Sequence, residues 1–159
     1  YIKNYREYLD LIAPLQNRDI ASYIDNTQGI VDEYNGIFEE YQSRFRQLTA
    51  TSNGNLSATQ RKKIAALLEN EVIPALKKRQ QKLDEVEIPA GAQYLARQRQ
   101  HSTETTIKAW QHFIKGCRDN SQAEFSTAET LHKQELAIDL RVQDIIRHTA
   151  ISKNIPNLP

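Results

Sequence analysis

From residue 14 to about 50, apolar residues fall at Ile20, Ile24, Val31, Tyr34, Phe38, Tyr41, Phe45 and Leu48, with Thr27 completing the series, in steps that alternate between four and three. A mean step of 3.5 residues keeps one stripe facing partner helices along a left-handed bundle. Tyr23, Ile30 and Ile37 widen that stripe, so the helix is expected to face two neighbours. Gly29 and Gly36 each cost about 1 kcal/mol in a helix interior relative to Ala, which marks them for close helix approach or local bending.

Ahead of this stretch, Tyr5, Tyr8, Leu9 and Ile12 lie at helical spacing before Pro14 interrupts the pattern. The reading is a short amphipathic helix over 1–13, a kinked continuation into the next segment being equally allowed. After a loop over 51–56, Ser57-Ala-Thr-Gln60 has the form of a capping box and starts a second helix. Its stripe runs Ile64, Leu67, Leu68, Val72, Ala75, Leu76, Leu83 and Val86. Pro74 interrupts one backbone bond, which predicts a kink near Val72–Pro74 and no chain reversal, because the stripe resumes in phase.

Pro89 suits the opening turn of a third helix from about Ala90 to Lys115, with Gly116 able to end it. Asp119, Asn120 and Ser121 are candidate caps for a fourth, striped by Phe125, Ala128, Leu131, Ile138, Val142, Ile145 and Thr149 and flanked by Leu136 and Leu140. Residues 152–159 lack periodicity and read as an irregular tail. The expected fold is all-α: an antiparallel up-down-up-down four-helix bundle over 14–151 with a short extra N-terminal helix.

Charge patterning agrees with that arrangement. Residues 15–50 and 119–150 each carry 3 basic and 6 acidic groups, whereas 61–82 carry 7 and 2 and 90–118 carry 5 and 1, so acidic and basic helices can alternate. The net charge of only +1 excludes recruitment of nucleic acid or an anionic membrane by the whole-chain field. The clusters Arg61-Lys62-Lys63 and Lys77-Lys78-Arg79 with Lys82 read as a solvated face pairing with acidic neighbours, with no interleaved aromatics for base stacking, and nucleic acid is not expected as a partner. Only 5 Gly and 5 Pro leave too few turn signals for a β-sandwich or barrel.

One cysteine, Cys117, forbids an intrachain disulfide or a cysteine-based zinc cluster, and its place at a helix end argues against an activated thiol. Glu129-Thr-Leu-His132 has the carboxylate–imidazole spacing of di-iron bundles, but no second pair accompanies it. Glu129 and His132 are therefore held as metal candidates without a complete ligand set, and no metal or other cofactor is assigned. No haem-attachment motif, phosphate loop or nucleophile elbow occurs, and no catalytic residue is assigned. The third helix is unusually polar in its middle. If Gln98, His101, Ser102 and Thr105 face inward they form a pocket for a small ligand; if they face solvent the bundle is narrower there.

The segments Val72-Ile-Pro74-Ala-Leu76, Val86-Glu-Ile-Pro89-Ala-Gly91-Ala-Gln93-Tyr-Leu95 and Ala109-Trp-Gln-His-Phe113-Ile-Lys-Gly116 resemble bacterial cell-envelope helical-bundle domains of lipoprotein type. The resemblance spans about residues 57–150 and implies an extracytoplasmic bundle tethered through an N-terminal segment, although this chain shows no lipid-attachment cysteine. It transfers no functional residues. The chain starts at Tyr1 and contains no Met, which reads as a processed or trimmed piece. The function expected from these features is a non-catalytic interaction or ligand-sensing module at the cell envelope, periplasmic or membrane-anchored, whose partner is an unidentified protein or small ligand. The alternatives are a ferritin-like metal-binding bundle, a chemoreceptor-like periplasmic ligand-binding bundle and, for location, the cytoplasm.

Overall fold

The computed structural model describes the backbone over residues 2–50 and 54–154 and the side chains over 15–50 and 54–149. Four long helical rods make up a helical bundle, with no strand among the described residues. The first rod is α1 (Ile2–Thr49). The second comprises α2 (Ala58–Leu67), a π-helical turn (Leu68–Val72) and α3 (Ile73–Asp84). A 3-10 turn (Ala90–Ala92) leads into α4 (Gln93–Asp119), and α5 (Gln122–Asn154) completes the bundle.

The separate helix expected over 1–13 is not a separate element. The backbone stays helical from Ile2 through Pro14 to Thr49, because a proline deletes one bond of the ladder while those on either side persist. Tyr5, Tyr8, Leu9 and Ile12 have side chains outside the described residues. At the other end α5 runs on to Asn154, and the tail beyond it also lies outside them.

The second rod opens with the capping box expected of its sequence. The Gln60 amide donates to the Ser57 hydroxyl at 3.1 Å, and the Ser57 amide donates to the Gln60 side chain at 2.8 Å. Pro74 is met by the π turn just before it, where the Ile73 amide reaches back five residues to the Leu68 carbonyl. The proline ring would otherwise crowd the carbonyl four residues earlier. Tyr41 on α1 braces this turn by donating its hydroxyl to the Glu71 carbonyl at 3.2 Å, while Arg44 makes a two-pronged contact with the Glu71 carboxylate at 2.7 and 2.6 Å.

Contacts between rods fix their registers. Glu33 meets Lys82, Tyr34 meets Arg79 and Arg44 meets Glu71. Arg61 reaches the Cys117 carbonyl and Arg79 the Thr103 hydroxyl. On α4 and α5, His112 meets Glu124 and Ser102 meets Asp139.

Two glycine expectations change. Gly116 does not end α4, which continues to Asp119 and closes on Asn120 in the left-handed conformation (φ 48°). The Ser121 amide then donates to the Gly116 carbonyl at 3.1 Å, the long bond of a Schellman cap. Gly116 instead provides flat surface for the Phe125 ring. At Gly29 and Gly36 a Cβ would meet nothing within 4 Å, so neither marks a close approach. The close approach lies at Gly91, whose missing side chain admits the Gln16 backbone and whose amide donates to the Asp19 carboxylate at 3.0 Å.

The core has two parts. One gathers Tyr34, Ile64, Leu67, Leu68, Val72, Leu76 and Ile114, with Phe38, Phe45, Trp110, Phe113 and Phe125 packed on it. The other, nearer the start of α4, holds Tyr23, Ala92, Leu95 and Val142, flanked by Ile20, Ile24, Ile145 and Ile146. Helix α5 thus supplies Val142, Ile145 and Ile146 to the second part and only Phe125 to the first. Its flanking Leu136 and Leu140 are exposed.

Candidate functional site

Between these anchor points α1 and α5 do not close on each other. The cleft that results has a volume of about 890 Å³, and its walls come from every rod. Tyr34, Asn35 and Phe38 form the α1 wall, and Ala128, Glu129, His132, Glu135 and Asp139 the α5 wall. The floor is Leu76 and Arg79 from α3 and Ser102, Thr106, Ala109, Trp110 and Phe113 from α4. The sequence explains the opening. Along the α5 stripe Ala128, Leu131, Glu135, Ile138, Val142, the small Ala128 and the ionisable Glu135 stand where bulky apolar residues would pull α5 onto Phe38 and Tyr34.

The cleft is apolar in its middle and polar at both ends, with Asn55, Arg61, Asn120 and Gln122 at one and Arg79, Glu135 and Asp139 at the other. Around its middle, Trp110 and Phe113 meet edge to face with centroids 5.9 Å apart, and Phe113 meets Phe125 at 5.1 Å. Across from them, Phe38 stacks with Tyr34 at 6.0 Å.

The charged end is built around Arg79. Its guanidinium carbon lies 4.4 Å from the centroid of the Tyr34 ring, and it donates to the Thr103 hydroxyl at 2.8 Å. Burial pulls its pKa below the ordinary arginine value and pushes the Tyr34 phenol up to about 12. A similar layer stands higher in the bundle, where Arg99 covers the Tyr23 ring and donates at 2.8 Å to Thr27, which is fully buried. Facing Arg79 from α5 are Glu135 and Asp139, one turn apart. Burial, then the Asp139 charge and a hydrogen bond with it, push the Glu135 carboxyl up to about 7, and Arg79 only partly opposes this. Ser102 donates to Asp139 at 3.3 Å, and His132 Nδ1 lies 3.4 Å from Glu135.

The polar stretch of α4 divides. Ser102 and Thr105 are buried, Gln98 is half-buried and His101 is exposed. Only Ser102 of these four lines the cleft, joined there by Thr106. The Thr105 hydroxyl donates to the His101 carbonyl of its own helix at 2.8 Å. Glu129 and His132 both lie on the cleft rim with exposed side chains, Glu129 paired with Lys133 at 3.1 Å. Among the described residues no three His, Cys, Asp or Glu side chains converge as a metal site would require.

Arg79 and Glu135 are not among the candidates that the sequence singles out, although their spacing holds the signal. Arg79 falls between Leu76 and Leu83 in the stripe of α3, and Glu135 between Leu131 and Ile138 in that of α5. A charge at a seam position faces other helices, whatever run of like charges it adjoins. Cys117 is buried, and burial pushes its thiol up to about 11, which leaves it protonated at neutral pH. No helix among the described residues is long and apolar enough to cross a membrane. Comparison of the chain with known families, curated proteins and solved structures finds no match.

Proposed function

We propose that this chain is a non-catalytic binding module: an antiparallel up-down-up-down bundle whose open seam between α1 and α5 receives a small amphipathic molecule, for sensing or interaction at the cell envelope. The cleft carries this reading. Its volume of about 890 Å³ falls within the usual range of small-molecule sites, and its aromatic walls end in a few convergent polar groups. The antiparallel order draws support from paired contacts whose numbers rise on one rod as they fall on the next, Glu33 with Lys82 and Arg44 with Glu71 among them. A non-catalytic role fits a protonated Cys117 and exposed Glu129 and His132. The envelope location rests on the sequence resemblance alone, and fractionation of cells producing the natural protein tests it.

Trp110 is the chain's single tryptophan and lines the cleft, which gives a direct binding assay. Ten-carbon amphiphiles titrated below their micellar concentrations should shift its emission saturably. Replacing Ala128 by Phe should block that shift while helical circular dichroism is kept. Saturable binding that survives the substitution would place the ligand elsewhere and defeat the reading.

A further inference from the structure

The charge balance at the Arg79 end of the cleft narrows the ligand to one class. Glu135 and Asp139 present two carboxyls from α5, the Glu135 side chain only 12% exposed and Asp139 exposed at the rim. The groups facing Glu135 are Arg79 from α3, Tyr34 from α1, and His132 and Asp139 from α5 itself; the nearby α4 residues, Ser102 and Thr106, carry no charge. Arg79 is the one permanent cation among them, and its hydrogen bond is given to Thr103 while its face lies on Tyr34. One guanidinium thus confronts two carboxyls, and the second requires a proton or another cation when covered.

We propose that the cleft receives a cationic amphiphile, an ammonium head held by Glu135 and Asp139 with an apolar body lying along Phe38, Trp110 and Phe113. The proposal rests on the binding role argued above and names its ligand class. An ammonium supplies the missing positive charge and makes charge-assisted hydrogen bonds to both carboxylates. Phe38, half-buried on the α1 wall, adds an aromatic surface of the kind that attracts organic cations, whereas the Tyr34 ring is already covered by Arg79. A carboxylate head at this end, by contrast, meets two like charges, and at the far end finds an Arg61 whose guanidinium already donates to the Cys117 and Leu56 carbonyls; a hydroxyl head leaves the charge imbalance in place.

The test compares decylamine, decanol and decanoate at submicellar concentration and pH 7.5, read by Trp110 emission and by calorimetry. Decylamine should bind about tenfold more tightly than decanol, with decanoate weakest, the margin being that of a charge-assisted hydrogen bond. The double variant E135Q/D139N should lose that margin for decylamine and leave decanol unchanged. E85Q/E87Q, altered at exposed carboxylates outside the cleft, should behave as wild type. If decanol or decanoate equals decylamine, or if E135Q/D139N leaves the amine's affinity intact, the ammonium assignment is overturned and the binding cleft survives. If none of the three binds, the binding role fails and the assignment with it. E135Q removes an ionisable group from a largely covered position and D139N is isosteric at an exposed one, so the double variant is expected to fold, and thermal melts check this.

Discussion

The ring of Phe125 lies directly on Gly116, so close that a Cβ at residue 116 would stand 2.9 Å from two ring carbons. This contact anchors the start of α5 to the last turns of α4 and defines one end of the cleft. Glycine is poor in a helix interior, so Gly116→Ala would ordinarily stabilise by about 1 kcal/mol. Here the added methyl must displace the ring, which also packs on Phe113, and overpacking of this kind costs about 1–3 kcal/mol. The substitution is therefore expected to lower stability in urea unfolding; a gain would show that the contact is not tight.

Gly29 and Gly36 provide the opposite case on the same chemistry. Both lie inside α1, and a methyl added at either position has nothing within 4 Å, so alanine there meets no neighbour. Each substitution should stabilise the bundle by about 0.5–1 kcal/mol through lost unfolded-state freedom. The pair should add, because the sites are two turns apart and share no contact. A loss of stability at either position would mean that the open face is covered by something.

The π turn ahead of Pro74 depends on a partner from another rod. Tyr41 donates its hydroxyl to the Glu71 carbonyl within that turn, so Tyr41→Phe should cost about 1 kcal/mol, the net worth of a partly buried hydrogen bond. Glu71→Gln, which weakens the half-exposed fork with Arg44, should cost less, since exposed ion pairs contribute about 0–1 kcal/mol. Urea midpoints for the two variants give the comparison. A larger loss from E71Q would make the ion pair, not the phenol, the main brace.

Much of the bundle can be read from its stripes because burial and helical period leave the same mark on the sequence. Thr27 fits the α1 series and is fully buried; Ser57 and Gln60 cap as their spacing predicts. The differences have a common physical origin. The local preference of Pro14 points to a break, but the ladder continues on both sides of the one bond it removes in a helix 48 residues long. Gly116 has the local character of a terminator, yet its role depends on a ring from the next helix, which no local rule reveals. Arg79 sits in a basic run that suggests a solvated face, although its position between Leu76 and Leu83 points inward. The cleft itself depends on how far α1 and α5 stand apart, and spacing along one chain segment fixes only a direction.

Glu135 should give the fold a distinctive dependence on pH. Its carboxyl is pushed up to about 7, above the ordinary glutamate value of the unfolded chain, chiefly by burial and by the neighbouring Asp139. The folded protein therefore binds more protons than the unfolded chain between about pH 4.5 and 7. Stability falls with rising pH wherever the folded state holds the extra proton, so the benefit of a neutral Glu135 is present below the unfolded value and is lost as pH rises through about 7. Glu135→Gln fixes the neutral form. Its stability relative to wild type should grow from pH 5 to pH 8 by a margin of order 1–3 kcal/mol, since one pKa unit corresponds to about 1.4 kcal/mol. Arg79→Met, which removes the cation that holds the Glu135 value down, should move the same transition to higher pH. Urea unfolding of the three proteins between pH 5 and 8 makes the comparison, and a wild-type-minus-E135Q difference that stays flat across that range would refute the desolvated placement of Glu135.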